Sequence, residues 1–142
     1  MARCLSVFCR SAERRVRHPQ RPAEWVSSKE RHGGPARKGQ GLGWVDGTIK
    51  KLPSEKLKMP HMGWNSIKLL NKSPEINPTE TDYYFVHSYY FDCKNKENIL
   101  AETNYGINYP SIVNKENIYG LQFHPEKSSD QGLDIIKSFI EL

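Results

Sequence analysis

All eight arginines of this 142-residue chain lie between Arg3 and Arg37, while all ten isoleucines, seven tyrosines and nine asparagines lie after residue 48. This seam constrains folding more than any motif, because a core can form only where apolar side chains recur. Charge follows the same boundary: residues 1–39 carry a net +7 and residues 40–142 a net −2, which makes the +5 of the whole chain. The pI of about 9.1 therefore belongs to the first segment. The mildly acidic body offers no basic groove of the kind that neutralises phosphates, which argues against nucleic acid as a partner. Arg, Pro, Ala and Gly draw on GC-rich codons, and Asn, Ile, Lys and Tyr on AT-rich ones. Two segments are expected. Residues 1–39 form a basic stretch that is disordered or not native to the domain, through a shifted frame, a fusion or a mis-assembled gene. Residues 40–142 form the folding body. Residues 1–39 show no sustained period of 3.6 or 2, and aromatic interleaving there is limited to Phe8 and Trp25.

Mean hydropathy is −0.72, and no apolar run approaches the ~18 residues that span a bilayer. The apolar stretch within residues 1–10 is too short and interrupted for a signal peptide. Cys4, Cys9 and Cys93 make an odd set without metal-ligand pairing, which favours free thiols in a reducing compartment. A cytoplasmic protein without membrane partner or cofactor is the expectation.

Within the body, Gly41-Leu42-Gly43 reads as a turn, and Trp44–Leu52 as strand with a tight hairpin at Asp46-Gly47. Tyr83–Phe91 is aromatic and β-branched, the pattern of one buried strand. Ile99–Tyr105, Ser111–Val113 and Asn117–Phe123 read as further strands, the last ending where Pro125 forces the chain from the sheet. A helix follows. Ser128 and Gln131 have capping-box spacing, and Leu133, Ile136 and Ile140 share a face with Ile135 and Phe139 alongside. Strands closed by one helix suggest α+β or part of an α/β domain.

The sharpest local feature is Gln122-Phe123-His124-Pro125-Glu126-Lys127-Ser128. Side chains at i and i+2 of an extended segment project to the same side. Glu126 can then accept from one imidazole nitrogen of His124 and leave the other to take a proton from a nucleophile. The same pair also describes a solvent-facing His–Glu contact. A zinc site from His61, His87 and His124 is rejected, since no two have ligand-like spacing and no Cys accompanies them.

The string Gln122–Ser129 resembles the closing motif of class I glutamine amidotransferases. Gly41-Leu42-Gly43, Pro60-His61-Met62-Gly63-Trp64-Asn65 and Tyr84-Phe85-Val86-His87-Ser88-Tyr89-Tyr90 narrow the resemblance to the glutaminase subunit of imidazole glycerol phosphate synthase, over about residues 40–142. It implies an α/β fold with a mixed sheet and C-terminal helix, and glutamine as substrate. It also implies ammonia delivery to a (β/α)8-barrel cyclase subunit in histidine biosynthesis. His124 and Glu126 would be catalytic, and His87, Ser88 and Tyr89 would lie at the glutamine site, partly through backbone groups. Trp64, Asn65 and Lys127 would face the partner.

One part of the pattern has no counterpart. The family sets its nucleophile in a Gly-x-Cys-x-Gly turn ahead of the Gly-Leu-Gly string, where glycines permit the strained geometry and free backbone N–H groups. Cys4 and Cys9 lack those glycines, and Cys93 matches no catalytic position. The expectation is a domain without its N-terminal nucleophile half, marginally stable and inactive as a glutaminase. The alternatives are a non-catalytic remnant or pseudoenzyme, or a related amidotransferase for another acceptor such as a sugar.

Overall fold

The computed structural model describes the backbone of residues 6–9 and, in full, residues 43–53, 57–73 and 75–141. Nine strands, three sheets and a C-terminal helix make up these residues. Strand β1 is Ser6–Cys9, β2 Gly47–Lys51, β3 His61–Ser66, β4 Lys68–Leu69 and β5 Asp82–His87. Tyr89–Cys93 forms β6, Ile99–Asn104 β7, Asn108–Lys115 β8 and Ile118–Leu121 β9; helix α1 is Ser129–Ile140. The main sheet has the order β1-β9-β8-β7-β4, flanked by the pairs β2-β6 and β3-β5. Its ladders run antiparallel, as do the two flanking pairs. The α/β combination of a multi-stranded sheet and a C-terminal helix is the one expected. No helix among the described residues is long and apolar enough to cross a membrane.

The core forms between the sheets and α1. Tyr83, Phe85, Tyr109, Tyr119, Phe123 and Ile135 are buried in one cluster, with the Tyr83 and Phe123 rings stacked at 4.3 Å. A second cluster holds Phe91, Cys93, Ile99 and Val113. Along β5 burial alternates, so that Tyr83, Phe85 and His87 point inward while Tyr84 and Val86 are half-exposed, as a strand with one face on the core requires.

Several local expectations change. The Tyr83–Phe91 run is two strands, not one. The chain changes partner at Ser88, whose carbonyl accepts from Leu52 N–H at 3.0 Å, β5 pairing with β3 and β6 with β2. Asp46-Gly47 is no hairpin: Gly47 pairs with Cys93 of β6. A Cβ at Gly47 would sit 2.4 Å from the Phe91 ring and 2.6 Å from the Asp92 carbonyl, so close packing explains the glycine. Gly43 is in the left-handed region at φ 71, while Gly41 and Leu42 lie outside the described residues. The strands β3 and β4 lie where only a motif was noted. No element was expected in residues 1–39, yet Ser6–Cys9 pairs with Ile118–Leu121; four residues are too few to show a period.

Helix α1 also differs in detail. Ser128 sits at its N-cap without a side-chain capping bond, and Gln131 Nε2 donates instead to the Asp82 carbonyl at 2.9 Å. The capping box is therefore not formed, because both side chains reach across to β5. The inward face is Gly132 and Ile135, flanked by Ile136 and Phe139, while Leu133 and Ile140 are 44% and 74% exposed.

Gly132 lets the helix start dock on the preceding turn. A Cβ there would lie 2.1 Å from the Pro125 carbonyl oxygen and 2.7 Å from Ser128 Cβ, contacts that only a shift of backbone relieves. Gly132→Ala is expected to destabilise the chain by about 1–3 kcal/mol despite alanine's better helix propensity, as a lower urea midpoint at unchanged m-value. A stabilised variant would show that the helix start slides freely.

Candidate functional site

Residues 124–128 form a polar turn between β9 and α1. His124 is extended, and Pro125–Lys127 makes one short 3-10 turn in which Lys127 N–H donates to the His124 carbonyl at 3.1 Å. The turn is clamped to one peptide neighbourhood of β5. His124 N–H donates to the Tyr84 carbonyl at 2.9 Å, and Tyr84 N–H donates to Ser128 Oγ at 3.0 Å. Ser128 Oγ in turn donates to the His124 carbonyl at 2.6 Å. Ser128 is fully buried, so these bonds form out of reach of water. Its part in holding the site was not anticipated.

The turn brings together the two side chains expected to be catalytic. His124 Nδ1 lies 2.9 Å from Glu126 Oε1, the His side chain 12% exposed and the carboxylate 55%. Two-residue spacing works here through a turn rather than an extended strand. A carboxylate only accepts, so Nδ1 carries the proton, and in the neutral ring Nε2 is left as the basic nitrogen. This arrangement can take a proton at Nε2 while Glu126 steadies the resulting imidazolium.

The other expected site residues are placed differently. The His87 side chain is buried, with Nε2 3.1 Å from Tyr109 Oη and Nδ1 3.0 Å from the Tyr89 carbonyl. The carbonyls of Ser88 and Tyr89 are thus both engaged within the chain, by Leu52 N–H and by His87. On the outer face of β3, Trp64 is 52% and Met62 62% exposed, and the Trp64 ring meets Tyr84 edge-on at 5.9 Å. That contact links the expected partner face to the peptide that holds His124. Lys127 is exposed. Asn65 is tied inward, its Nδ2 donating to the Asn104 carbonyl at 2.9 Å and lying 3.3 Å from His61 Nε2.

His61 is the residue that spacing arguments missed. It and His87, 26 positions apart, approach to 3.3 Å and are joined through Tyr109, and the His61 ring stacks on Tyr105 at 3.9 Å. No sequence period links these four positions; only the β3-β5 register, which sets His61 opposite His87, brings the two rings together. Burial pushes both imidazoles down to about 4, and a charge on His124 would disfavour protonation of His87 further.

Cys93 does not resemble an activated nucleophile. Its Sγ–H donates to the Asn95 carbonyl at 3.2 Å, and burial pushes the thiol up, which keeps it protonated and inert. The backbone of Cys9 pairs with Ile118, and Cys4 lies outside the described residues.

The family model for glutamine amidotransferase class-I matches residues 32–142. The imidazole glycerol phosphate synthase subunit HisH of Bacillus subtilis (strain 168) is 45% identical over 108 residues, covering 72% of this chain and 51% of its own length. The subunit of the same name from Bdellovibrio bacteriovorus is 43% identical over 108 residues, 72% of this chain and 53% of its own. That from Listeria innocua is 47% identical over 105 residues, 72% and 50% respectively. The chain spans about half the length of the curated relatives it matches.

Two measurements test this geometry. Ser128→Ala removes the acceptor for Tyr84 N–H and the donor to the His124 carbonyl, and is expected to cost about 1–3 kcal/mol, seen as a lower urea midpoint. The buried imidazoles set a pH dependence. Their folded pKa lies below the unfolded 6.5, so between those values the unfolded chain binds protons that the folded one refuses. Stability from this source is complete above about pH 6.5 and falls with acidification by about 1.4 kcal/mol per pH unit for each ring, levelling near pH 4. Urea midpoints from pH 7.5 to 4.5 that stay flat would remove the burial argument.

Proposed function

Since the chain belongs to the class-I glutamine amidotransferase family, we propose that it represents the base-bearing part of a glutaminase subunit that supplies ammonia to imidazole glycerol phosphate synthase. The observation that carries this reading is the 2.9 Å His124–Glu126 pair, set within the residues that the family model matches, in a chain whose relatives are named for that synthase. In the reaction, a cysteine thiol gives its proton to His124 Nε2 and attacks the side-chain amide carbon of glutamine. The proton then passes to the departing nitrogen, so that ammonia leaves and a glutamyl thioester remains. Water, deprotonated by the same ring, cleaves the thioester to glutamate and restores the thiol. The Glu126 carboxylate steadies the imidazolium at both stages.

The cysteine is the part these residues do not supply. Cys93 is a buried thiol bonded to a carbonyl, and neither Cys4 nor Cys9 has flanking glycines. On this reading the 142 residues alone do not hydrolyse glutamine, and they retain the partner face. Trp64 and Lys127 face a (β/α)8-barrel cyclase subunit that receives the ammonia, with the Asn65 side chain turned inward behind them, and the His87-Ser88-Tyr89 segment borders the glutamine pocket. The non-catalytic reading is supported by the same state of Cys93. An acceptor outside the imidazole glycerol phosphate synthase reaction has no supporting observation, since the relatives named above are subunits of that synthase.

Two arms test the proposal. Incubation with an electrophilic glutamine analogue, followed by mass spectrometry, is expected to leave Cys4, Cys9 and Cys93 unlabelled; glutamate release abolished by Cys4→Ala would overturn the inactive assignment. Association with the Bacillus subtilis cyclase subunit, read by calorimetry, is expected to weaken about tenfold or more in Trp64→Ala, as loss of an exposed aromatic anchor does. Absence of any association by the unsubstituted chain would sink the subunit assignment.

A further inference from the structure

A line of polar groups, buried beyond its first member, runs from the outer strand β3 to the start of β6, and its chemistry allows only one direction. At the β3 end the Asn65 amide is oriented by two bonds: Oδ1 accepts from Ser66 N–H at 2.9 Å and Nδ2 donates to the Asn104 carbonyl at 2.9 Å. The second Nδ2 hydrogen therefore meets His61 Nε2, at 3.3 Å, as donor to acceptor. A neutral His61 must then carry its proton on Nδ1, which points at Tyr109 Oη, 2.9 Å away. At the other end the Tyr89 carbonyl, 3.0 Å from His87 Nδ1, can only accept. His87 thus has its proton on Nδ1 and a lone pair on Nε2, 3.1 Å from Tyr109 Oη. Tyr109 closes the line by accepting from His61 and donating to His87, and the same His61 N–H also faces the His87 Nε2 lone pair at the longer distance of 3.3 Å. Reversing any link would set two donors or two lone pairs face to face.

The environment holds the line in this state. His61, His87 and Tyr109 are 3%, 1% and 0% exposed, so each unmet donor or acceptor carries a desolvation cost. Both rings stay neutral, since burial pushes them down to about 4, and burial holds the Tyr109 hydroxyl protonated. The line begins beside Trp64 on β3 and ends at the carbonyl next to Ser88, where the chain switches from β5 to β6.

The geometry points to Tyr109 as a positioning residue: its hydroxyl joins a one-way hydrogen-bond relay, Asn65 to His61 to Tyr109 to His87 to the Tyr89 carbonyl, that holds the Ser88–Tyr89 backbone in a single orientation. Its relevance to glutamine rests on the proposed function above; the relay itself does not. Tyr109 touches no reacting atom and acts through His87.

Long-range 1H–15N spectra of the labelled full chain test it. Both His61 and His87 are expected as neutral rings protonated on Nδ1. Asn65→Asp replaces the donor facing His61 Nε2 by an acceptor. The His61 proton is then expected to move to Nε2, Tyr109 to turn toward His61, and the His87 Nε2 signal, two links away, to shift toward that of an unbonded nitrogen. Tyr109→Phe keeps the ring packing and removes only the hydroxyl. In that variant hydrogen exchange at the Ser88 and Tyr89 amides is expected to rise about tenfold, the loss of one buried hydrogen bond, while β9 amides stay protected. An Nε2-protonated His61 or His87 in the unsubstituted chain overturns the relay. So do unmoved His87 and Ser88–Tyr89 signals in both variants. None of these readouts involves glutamine or a partner, so failure of the relay is distinguishable from failure of the subunit assignment, which cyclase association tests.

Discussion

The site depends on how the free edge of β5 is satisfied. One edge pairs with β3 along its length, and the backbone groups of Tyr84 point the other way. An unpaired N–H or C=O at that depth costs as much as a lost hydrogen bond. The 124–128 turn meets both, with the His124 N–H on the Tyr84 carbonyl and the Ser128 hydroxyl on the Tyr84 N–H. The same two contacts set the position of the imidazole, the direction in which α1 leaves the sheet, and the close approach that only a glycine at 132 tolerates. Strand pairing, helix docking and the His124 imidazole are thus one mechanical unit, and a change at Ser128 or Gly132 reaches His124 without touching its ring.

Three histidines sit close together in this unit, and burial divides their tasks. His61 and His87 are shut away from water, held neutral, and useful only as hydrogen-bonding rings whose tautomers neighbours dictate. The His124 side chain keeps 12% of its surface, and its partner carboxylate is more than half exposed. The role proposed for His124 requires a ring that changes protonation, whereas a relay works only while its protons stay where they are. The fold gives the partly exposed ring a carboxylate partner and the buried rings only neutral ones.

Much of this was legible from residue order. The strand-like runs after Ile99, the exit from the sheet at Pro125 and the C-terminal helix follow from β-branched content, the missing proline N–H and helical spacing. So does the His124–Glu126 pair, because two-residue spacing keeps both groups local. What was not legible is what depends on distant chain. Ser128 and Gln131 have capping-box spacing, yet β5 offers both of them better partners. The Tyr83–Phe91 run contains no breaker that distinguishes Ser88, since the break comes from a change of pairing strand. His61, His87 and Tyr109 meet only because register sets His61 against His87 and β8 passes beneath them.

The pairing of β1 with β9 bears on the seam in composition. A ladder is built from N–H and C=O groups that every residue except proline carries, so the exposed edge of β9 accepts an extended Ser-Val-Phe-Cys whatever its origin. Such a pairing is weak grounds for calling residues 1–39 native to the domain, and equally weak grounds for calling them foreign. Contacts that depend on side-chain chemistry discriminate better: Ser128 on Tyr84, Gln131 on Asp82, Asn65 on His61 and the aromatic stack of Tyr83 on Phe123. All of these bonds join residues beyond position 60. The cooperative structure therefore resides in the segment rich in isoleucine, tyrosine and asparagine, which supplies both the rings of the core and the amides and hydroxyls that orient them.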